Sequence, residues 1–172
     1  MPGHAQASAT DEIKRSFPPV VDARSRVLVL GSLPGEQSLA RRQYYGNPRN
    51  QFWRLIGAVV ETDLVALDYE ARLRALLAAG VGLWDTVGAA TRRGSLDGNI
   101  RGRQANRLAD LVAALPALRA VGFNGGTSAA LGMKQLAGAP SPALVPLPSS
   151  SPAHTLPFEA KLGAWLRLRE FL

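Results

Sequence analysis

Four short apolar runs alternate along the chain with segments of helical periodicity. The predicted strands are 26–32, 81–85, 118–123 and 143–147. One predicted helix starts at Gln51 and another at Thr127, and three further helices are predicted over 68–79, 105–115 and 157–171. Strand–helix alternation with short turns is typical of a mostly parallel sheet with helices on both faces. We therefore expect an α/β fold, a three-layer α/β/α sandwich around a central four-stranded, mostly parallel sheet.

Composition limits the domain organisation. The chain has 172 residues, of which 47% are hydrophobic, and this is enough for one domain with a core. The first ten residues are small, polar and aperiodic, so we expect residues 1–16 to be a flexible tail and residues 17–172 to form a single domain. Since no apolar run is long enough to span a membrane, we expect a cytoplasmic protein, nucleoid-associated if its source is bacterial.

Residue types also limit the chemistry. The absence of cysteine excludes thiol catalysis and cysteine-bound metals, and the two histidines, His4 and His154, disfavour a histidine-rich metal site. We expect neither a metal nor a cofactor. The net charge of +7 favours a phosphate-rich partner. Arg92 and Arg93 lie in a predicted polar loop, where they are candidate phosphate contacts, although solvated charges are the commoner interpretation.

Each predicted strand ends in polar or turn residues. These are the turn Gly31-Ser32-Leu33-Pro34-Gly35, the acidic residue Asp85, the amide Asn124 and the run Ser149-Ser150-Ser151 between two prolines. Ligands of open α/β sheets bind at the carboxyl ends of the strands. The sequence therefore predicts one binding rim that collects these four strand ends.

Asn50 is the candidate for chemistry at that rim. As the residue before an amphipathic helix it is a favoured N-cap, an interaction worth roughly 1 kcal/mol. Alternatively, its side-chain carbonyl could hold a water for attack on a sugar carbon, which suffices when the departing base leaves early. Tyr44 and Tyr45 precede it, and we expect one to pack in the core and the other to stack on an extruded base.

Asp85 and Asn124 each have two interpretations. Asp85 could cap the following turn, or its carboxylate could accept the N1–H of hypoxanthine or of another oxidised or deaminated base. Adenine lacks that proton. Asn124 could be a turn residue before two glycines or could offer a donor and an acceptor to the base.

The remaining candidates would contact phosphate. The N–H groups of the turn 31–35 could bind a phosphate or a leaving base anion. The serine run could be a surface loop, or its hydroxyls and N–H groups could hold the backbone on either side of an extruded nucleotide. His154 could enter the duplex, contact a phosphate, or do neither.

At these residues the chain resembles the uracil-DNA glycosylase superfamily, and within it the hypoxanthine-DNA (deoxyinosine) glycosylase branch. The segments Leu30–Gly35 and Tyr45–Trp53 are similar to the first motif region of that branch. The segment Leu147–His154 is similar to its second motif, which forms a loop that penetrates DNA. The mismatch-specific thymine/uracil glycosylases have similar motifs. The resemblance spans residues 26–172.

By position, the resemblance implies that Asn50 is the catalytic amide and Tyr45 the base-stacking ring. It places Asp85 where uracil-specific relatives have a base-reading asparagine. The chain departs from the family pattern at four positions. Leu33 replaces a water-activating Asp or Asn, Asn47 stands where histidine is common, Leu147 replaces a histidine or asparagine, and Ala153 occupies the place of an arginine wedge.

We therefore expect a monofunctional DNA glycosylase that hydrolyses the N-glycosidic bond of a flipped deaminated base, hypoxanthine before others, in double-stranded DNA. We expect it to act as a monomer. No lysine lies within the motifs, so a Schiff-base nucleophile is missing. The alternatives are a uracil or mismatch-specific uracil/thymine glycosylase, a non-catalytic binder of damaged DNA, and a serine hydrolase that uses the serine run, His154 and Asp85.

Overall fold

The computed structural model describes residues 12–172. Within that range the strands are β1 (Ile13–Arg15), β2 (Val27–Gly31), β3 (Val81–Asp85), β4 (Val87–Arg92), β5 (Ile100–Ala105), β6 (Ala120–Asn124) and β7 (Ala143–Leu147). The α-helices are α1 (Glu36–Arg41), α2 (Phe52–Val60), α3 (Tyr69–Ala78), α4 (Leu108–Ala113), α5 (Gly126–Leu136) and α6 (Phe158–Trp165). A 3-10 turn covers Asp97–Asn99, and a 3-10 segment covers Leu166–Phe171.

The central sheet has four parallel strands in the order β3-β2-β6-β7. Its strand pairs bring Gly31 beside Asp85 and Asn124 beside Leu147. Because all four strands run in the same direction, their carboxyl ends meet at one edge. The expected α/β fold around a four-stranded parallel sheet is confirmed.

Alternating side chains of β2 enter two different cores. Val27 and Val29 belong to a buried cluster that also contains residues of α2, α3 and α6. Leu28 and Leu30 belong to a second cluster with Leu108 of α4 and residues of α5. The parallel sheet is therefore buried on both faces between two helical layers, as its near-continuous apolar strands require.

The segment after β3 is not the polar loop that the sequence predicts. β4 and β5 form an antiparallel pair, and β1 adds to the other edge of β4, so that a second sheet has the order β1-β4-β5. The β4–β5 pair contains register irregularities, and β5 is exposed apart from Ile100. A bulged pair with one exposed strand lacks the regular alternation by which strands are recognised.

The expected boundary of the N-terminal tail is also wrong in part. Residues Ile13–Arg15 form β1, and the side chain of Lys14 is buried and pairs with Glu36, so the folded part begins before residue 17. Residues 1–11 lie outside the described range, and so does most of the predicted tail.

The two sheets are joined directly beside the carboxyl end of β2. The backbone N–H of Thr86 donates to the Gly31 carbonyl, and that of Val87 donates to the Ser32 carbonyl. The hairpin formed by β4 and β5 therefore projects next to the turn 31–35. No helix in residues 12–172 has the length and apolar character needed to cross a bilayer.

Candidate active site

A cavity of about 510 Å³ opens at the carboxyl edge of the parallel sheet. This size is typical of small-ligand sites, which span about 300–1,000 Å³. Thirteen of the fifteen predicted site residues line it, all except Arg92 and Arg93. The full lining is Gly31–Ser38, Tyr44, Tyr45, Asn47, Asn50, Asp85, Ser95–Asp97, Asn124 and Ser149–His154. The predicted rim is thus one continuous surface.

Gly31 allows two functional side chains to approach each other. A Cβ atom at this position would lie 2.6 Å from Oδ1 of Asp85 and 3.1 Å from the Tyr45 hydroxyl. Real Cβ contacts are rarely this short, so any larger residue would displace the carboxylate, the phenol or both. The glycine at the end of β2 therefore keeps Asp85 and Tyr45 together at the floor of the cavity.

The carboxyl group of Asp85 is buried, and one of its oxygens has no hydrogen-bond partner in the described part of the chain. Its side chain is at the end of β3 with 4% exposure, and Oδ2 has no hydrogen-bond partner among residues 12–172. Burial and the nearby Asp97 carboxylate raise the pKa of Asp85 to about 7, against an opposing effect of Arg92. A buried, unpartnered carboxyl that faces a cavity marks a binding position for a hydrogen-bond donor.

The two tyrosines have different environments. Tyr44 is buried, and its hydroxyl donates to the backbone carbonyl of Pro18, so it is the packing aromatic of the pair. Tyr45 is half-buried, lines the cavity, and stacks on Phe52 with ring centroids 3.8 Å apart. Its backbone has a φ of 54°, a left-handed conformation that is uncommon for a tyrosine.

The contacts of Asn50 bear on both roles that the sequence suggests for it, a support for the start of α2 and a reactive group at the rim. Its Oδ1 accepts hydrogen bonds from the N–H of Phe52, the first residue of α2, at 2.9 Å and from the Ser150 hydroxyl at 2.7 Å, although the N-cap position itself is occupied by Gln51. Because both acceptor positions of this oxygen are in use, it is not free to hold a water at the rim, which is the alternative that the sequence left open. Nδ2 forms no hydrogen bond within residues 12–172, so the amide presents a donor to the cavity.

Asn124 and Ser150 set this orientation. Nδ2 of Asn124 donates to Oγ of Ser150 at 2.9 Å, and Oδ1 of Asn124 accepts from the Ser150 N–H at 2.9 Å. The hydroxyl of Ser150 must then use its single proton toward Asn50. Ser150 is 1% exposed, so the prediction that it contacts DNA is wrong, and its role is to position Asn50.

Arg92 is another corrected prediction. It does not lie in an exposed loop but at the end of β4 with a buried side chain, and its guanidinium donates to the carbonyls of Leu33, Pro34 and Gly94. A phosphate cannot reach it. Arg93 is exposed and stays a candidate for DNA contact.

The turn 31–35 is held by residues of the β4–β5 hairpin, among them Arg92 at the end of β4. The Ser32 hydroxyl donates to Asp97 at 2.6 Å, and Leu33 packs in a small core with Val87 and Ile100. Pro34 and Gly35 line the cavity, as the rim prediction requires. Leu33 has no polar atom in its side chain, so it cannot replace the water-activating residue of relatives.

The second motif is a structured loop. Trp165 donates to the Pro148 carbonyl at 2.9 Å, and the buried Lys161 donates to the Ser151 carbonyl at 3.3 Å. Ser149 and Ser151 use their Oγ atoms to accept N–H groups two residues ahead in the loop, which leaves the loop exposed from Pro152 to His154. His154 forms no hydrogen bond with a serine hydroxyl anywhere in residues 12–172, so the serine-hydrolase alternative lacks its nucleophile–base contact.

Sequence reasoning missed the contribution of the β4–β5 hairpin to the site. Ser95, Leu96 and Asp97 line the cavity from this hairpin. The signal for a turn was present in Gly94 and Gly98, but the irregular strands on either side concealed the hairpin. Residues 12–172 contain no cluster of three His, Cys, Asp or Glu side chains that could hold a metal ion.

Comparison with known proteins agrees with this geometry. Residues 18–169 match the family model described as the uracil DNA glycosylase superfamily. The chain is 44% identical over 112 residues to the hypoxanthine DNA glycosylase of Methanosarcina barkeri, covering 65% of this chain and 71% of the relative. It is 43% identical over 113 residues to the hypoxanthine DNA glycosylase of Methanosarcina acetivorans, with 66% and 72% coverage.

A solved structure has the same fold. The solution NMR structure of a candidate uracil DNA glycosylase from Methanosarcina acetivorans superimposes with a TM-score of 0.80 at 35% identity, covering 92% of this chain and 97% of that protein. The family match covers nearly all of the described residues, including both motif loops and the cavity between them. The chain therefore belongs to the uracil DNA glycosylase superfamily and is a DNA glycosylase.

Proposed function

We propose that this protein is a monofunctional glycosylase that removes hypoxanthine from deoxyinosine in double-stranded DNA, acting as a monomer in the cytoplasm. The observation that carries the proposal is the unpartnered carboxyl of Asp85 at the floor of the cavity, between Gly31 and Tyr45. Two curated relatives that are named hypoxanthine DNA glycosylase support the same substrate.

Asp85 provides the base selectivity. Hypoxanthine carries a proton on N1, which the ionised carboxylate can accept as a hydrogen bond, whereas adenine has a bare nitrogen lone pair at that position. An unpaired lone pair facing a carboxylate leaves two buried acceptors in contact, and such a mismatch costs about 1–3 kcal/mol or more. The site therefore disfavours the normal purine from which hypoxanthine arises.

Tyr45 provides a platform for the base. Phe52 supports one face of its ring, and the Asn124 amide lies 3.3 Å from its hydroxyl. The supported ring cannot swing away, so it offers a rigid stacking surface that lines the cavity. Stacking of a base on an aromatic ring is worth about 1–3 kcal/mol.

Asn50 acts on the reacting nucleotide through Nδ2. As the C1′–N9 bond breaks, its electron pair moves onto the base, and the sugar becomes an oxocarbenium-like cation. An N–H donor that is fixed in place before the reaction stabilises the negative charge that develops on the departing base. A water molecule then adds to C1′, and the proton that it loses passes through solvent to the departed base anion, which leaves neutral free base and an abasic site.

The lysines of the chain support hydrolysis rather than a Schiff-base mechanism. The sequence contains three lysines, and none of them lines the cavity. Lys14 pairs with Glu36, Lys161 is buried beneath the second motif loop, and Lys134 is exposed on α5. A covalent link to C1′ needs an amine beside the sugar, and this site does not supply one.

The test is single-turnover release of free base from duplexes that carry one inosine, uracil or xanthine, or a G·T mismatch. We expect hypoxanthine to be released fastest, with strand scission only after heating in alkali and no borohydride-trapped adduct. Asn50→Ala is the matched inactive variant. Tight binding of the inosine duplex without release of base would instead support a non-catalytic binder, and fastest release of uracil would overturn the assigned base.

A further inference from the structure

The tip of the β4–β5 hairpin places an apolar side chain in water at the mouth of the cavity. Leu96 is 57% exposed and lines the cavity together with its neighbours Ser95 and Asp97. A single exposed leucine is common on protein surfaces. The location of Leu96 distinguishes it, because it borders the opening through which an everted nucleotide must pass.

The hairpin holds Leu96 in a defined place. Asp97 accepts a hydrogen bond from the Ser32 hydroxyl at 2.6 Å, and the Ser95 hydroxyl accepts the N–H of Glu36 at 2.9 Å. Behind them, the Gly94 carbonyl accepts from Arg92 at 2.9 Å and from Lys14 at 3.0 Å. The residues on either side of Leu96 are therefore fixed, Asp97 to the turn 31–35 and Ser95 to the first residue of α1, and the apolar side chain is presented by a rigid support.

The charges of the hairpin identify the partner. Arg101 and Arg103 are exposed on β5 and Arg93 is exposed directly after β4, while the one acidic residue of the hairpin, Asp97, is bound to Ser32. An apolar tip between exposed arginines matches a nucleic-acid duplex, where cations contact phosphates and an apolar side chain separates two stacked bases.

The other motif loop does not supply such a side chain at the mouth. Of this loop, Ser149–His154 line the cavity, and the exposed residues among them are Pro152, Ala153 and His154. Pro152 and Ala153 have shorter side chains than leucine, and His154 is polar. An exposed leucine, Leu156 at 41% exposure, follows the loop, but that residue does not line the cavity.

We propose that Leu96 is the wedge of this enzyme, which enters the duplex from the β4–β5 hairpin and fills the gap left by the everted nucleotide. The proposal rests on the glycosylase activity proposed above. Extrusion of a base costs unstacking and unpairing, and a side chain that occupies the gap prevents the base from returning. A single-stranded substrate has no gap to fill, so the contribution of Leu96 is specific to duplex DNA.

The experiment compares Leu96→Ala, Leu96→Met and Leu156→Ala with the unmodified enzyme. Single-turnover release of hypoxanthine is measured on an inosine duplex and on the same strand unpaired. We expect the rate of Leu96→Ala to fall about tenfold or more on the duplex and to change little on the single strand, because the lost contact offsets only the cost of unstacking a base from a duplex. Leu96→Met, which keeps the apolar reach, should restore the duplex rate, and Leu156→Ala should match the unmodified enzyme.

A second readout does not depend on catalysis. Each protein is bound to a duplex with a tetrahydrofuran abasic site opposite 2-aminopurine, whose fluorescence rises when it unstacks. We expect a rise with the unmodified enzyme and Leu156→Ala and a much smaller one with Leu96→Ala. An unchanged signal in Leu96→Ala, or equal losses of its rate on duplex and single strand, would overturn the proposal. Failure of the unmodified enzyme to release hypoxanthine would overturn the proposed substrate but leave this binding readout intact.

Discussion

The hydroxyl of Ser150 donates a hydrogen bond of 2.7 Å to Oδ1 of Asn50. These residues are a hundred positions apart in the chain and belong to different motifs, yet the proton between them, together with the Phe52 N–H, fixes which end of the Asn50 amide faces the cavity. Asn124 supports the contact from the next strand end by donating to the same serine oxygen. The proposed catalytic amide is therefore oriented by two side chains whose own polar atoms are engaged in hydrogen bonds within the protein.

The first prediction concerns Ser150→Ala. The substitution removes one of the two donors that hold Oδ1 of Asn50 and leaves only the Phe52 N–H, so the amide can rotate more freely. We expect kcat to fall about 10- to 100-fold while KM changes little. The free energy of unfolding should fall by about 1–3 kcal/mol, because a buried Asn124 donor loses a partner. Ser149→Ala is the matched control, and equal losses in both variants would contradict the positioning role. Single-turnover and steady-state rates on an inosine duplex provide the measurement.

The second prediction separates the two ends of the Asn50 amide. Asn50→Asp keeps an oxygen that can accept from Phe52 and Ser150, but it replaces the Nδ2 donor with a second acceptor. We expect this variant to lose activity as severely as Asn50→Ala, by about 100-fold or more, with a smaller loss of thermal stability. If the aspartate variant retained most of the rate, the amide would act as an acceptor toward water, and the donor role would be refuted.

The third prediction concerns the pH dependence due to Asp85. The pKa of this carboxyl in the folded protein is about 7, against 3.8 as its ordinary value. Between these values the folded state binds more protons than the unfolded state, so the free energy of unfolding falls as pH rises from about 4 to 7 and stays lowered above that range. The full effect is on the order of 4 kcal/mol.

Asp85→Asn should remove this dependence. We expect its stability relative to the unmodified protein to be greater at pH 8 than at pH 5, measured by denaturant unfolding. Hypoxanthine release by the unmodified enzyme should rise with pH through about 7, because loss of its proton makes the Asp85 carboxylate a better acceptor for the N1–H of the base. The variant should lack this rise. A parallel pH profile of kcat/KM in both proteins would exclude Asp85 from base recognition.

The fourth prediction concerns Gly31→Ala. Its methyl group would lie 2.6 Å from the Asp85 carboxylate and 3.1 Å from the Tyr45 hydroxyl, so it displaces both from the cavity floor. We expect a loss of activity of about 100-fold and a loss of stability of about 1–3 kcal/mol. Gly98→Ala is the matched control, because a Cβ there meets no atom within 4 Å. A fully active Gly31→Ala protein would show that the floor does not determine the reaction.

The fifth prediction compares two neighbouring arginines. Arg92→Gln removes a buried guanidinium that binds three backbone carbonyls, and we expect it to cost about 3–5 kcal/mol of stability. Arg93→Gln should leave stability unchanged but weaken DNA binding and reduce the slope of its salt dependence by about one. Thermal unfolding and salt titrations of binding measure the two effects, and a reversal of these phenotypes would contradict the assigned environments.

The parallel sheet and most of the rim could be predicted from the sequence, because apolar strands that end in polar residues leave a strong local signal. The strands Val81–Asp85 and Ala143–Leu147 have their predicted bounds. The second sheet could not be predicted, since β4 and β5 pair with register irregularities and β1 is only three residues long. Such strands are defined by their partners rather than by their own pattern.

The orientation and burial of the site residues could not be predicted from the sequence either. Nothing in the sequence around Arg92 and Arg93 shows that one is buried and the other exposed, because this depends on the position of the turn 31–35. Similarly, the hydrogen bond from Ser150 to Asn50 joins two loops that only the folded sheet brings together. A residue type predicts which chemistry is available, whereas the direction of a side chain depends on distant contacts.

The hydrogen bond between Ser32 and Asp97 unites the floor of the cavity and the hairpin tip in one frame. A rigid site of this kind adapts little to its substrate, so the DNA must change its shape when the two bind. The rate of repair should then depend on how weakly the lesion is paired, with inosine opposite thymine excised faster than inosine opposite cytosine. The protein would thereby respond to the identity of the opposing nucleotide through the thermodynamics of the helix, without needing to recognise that base directly.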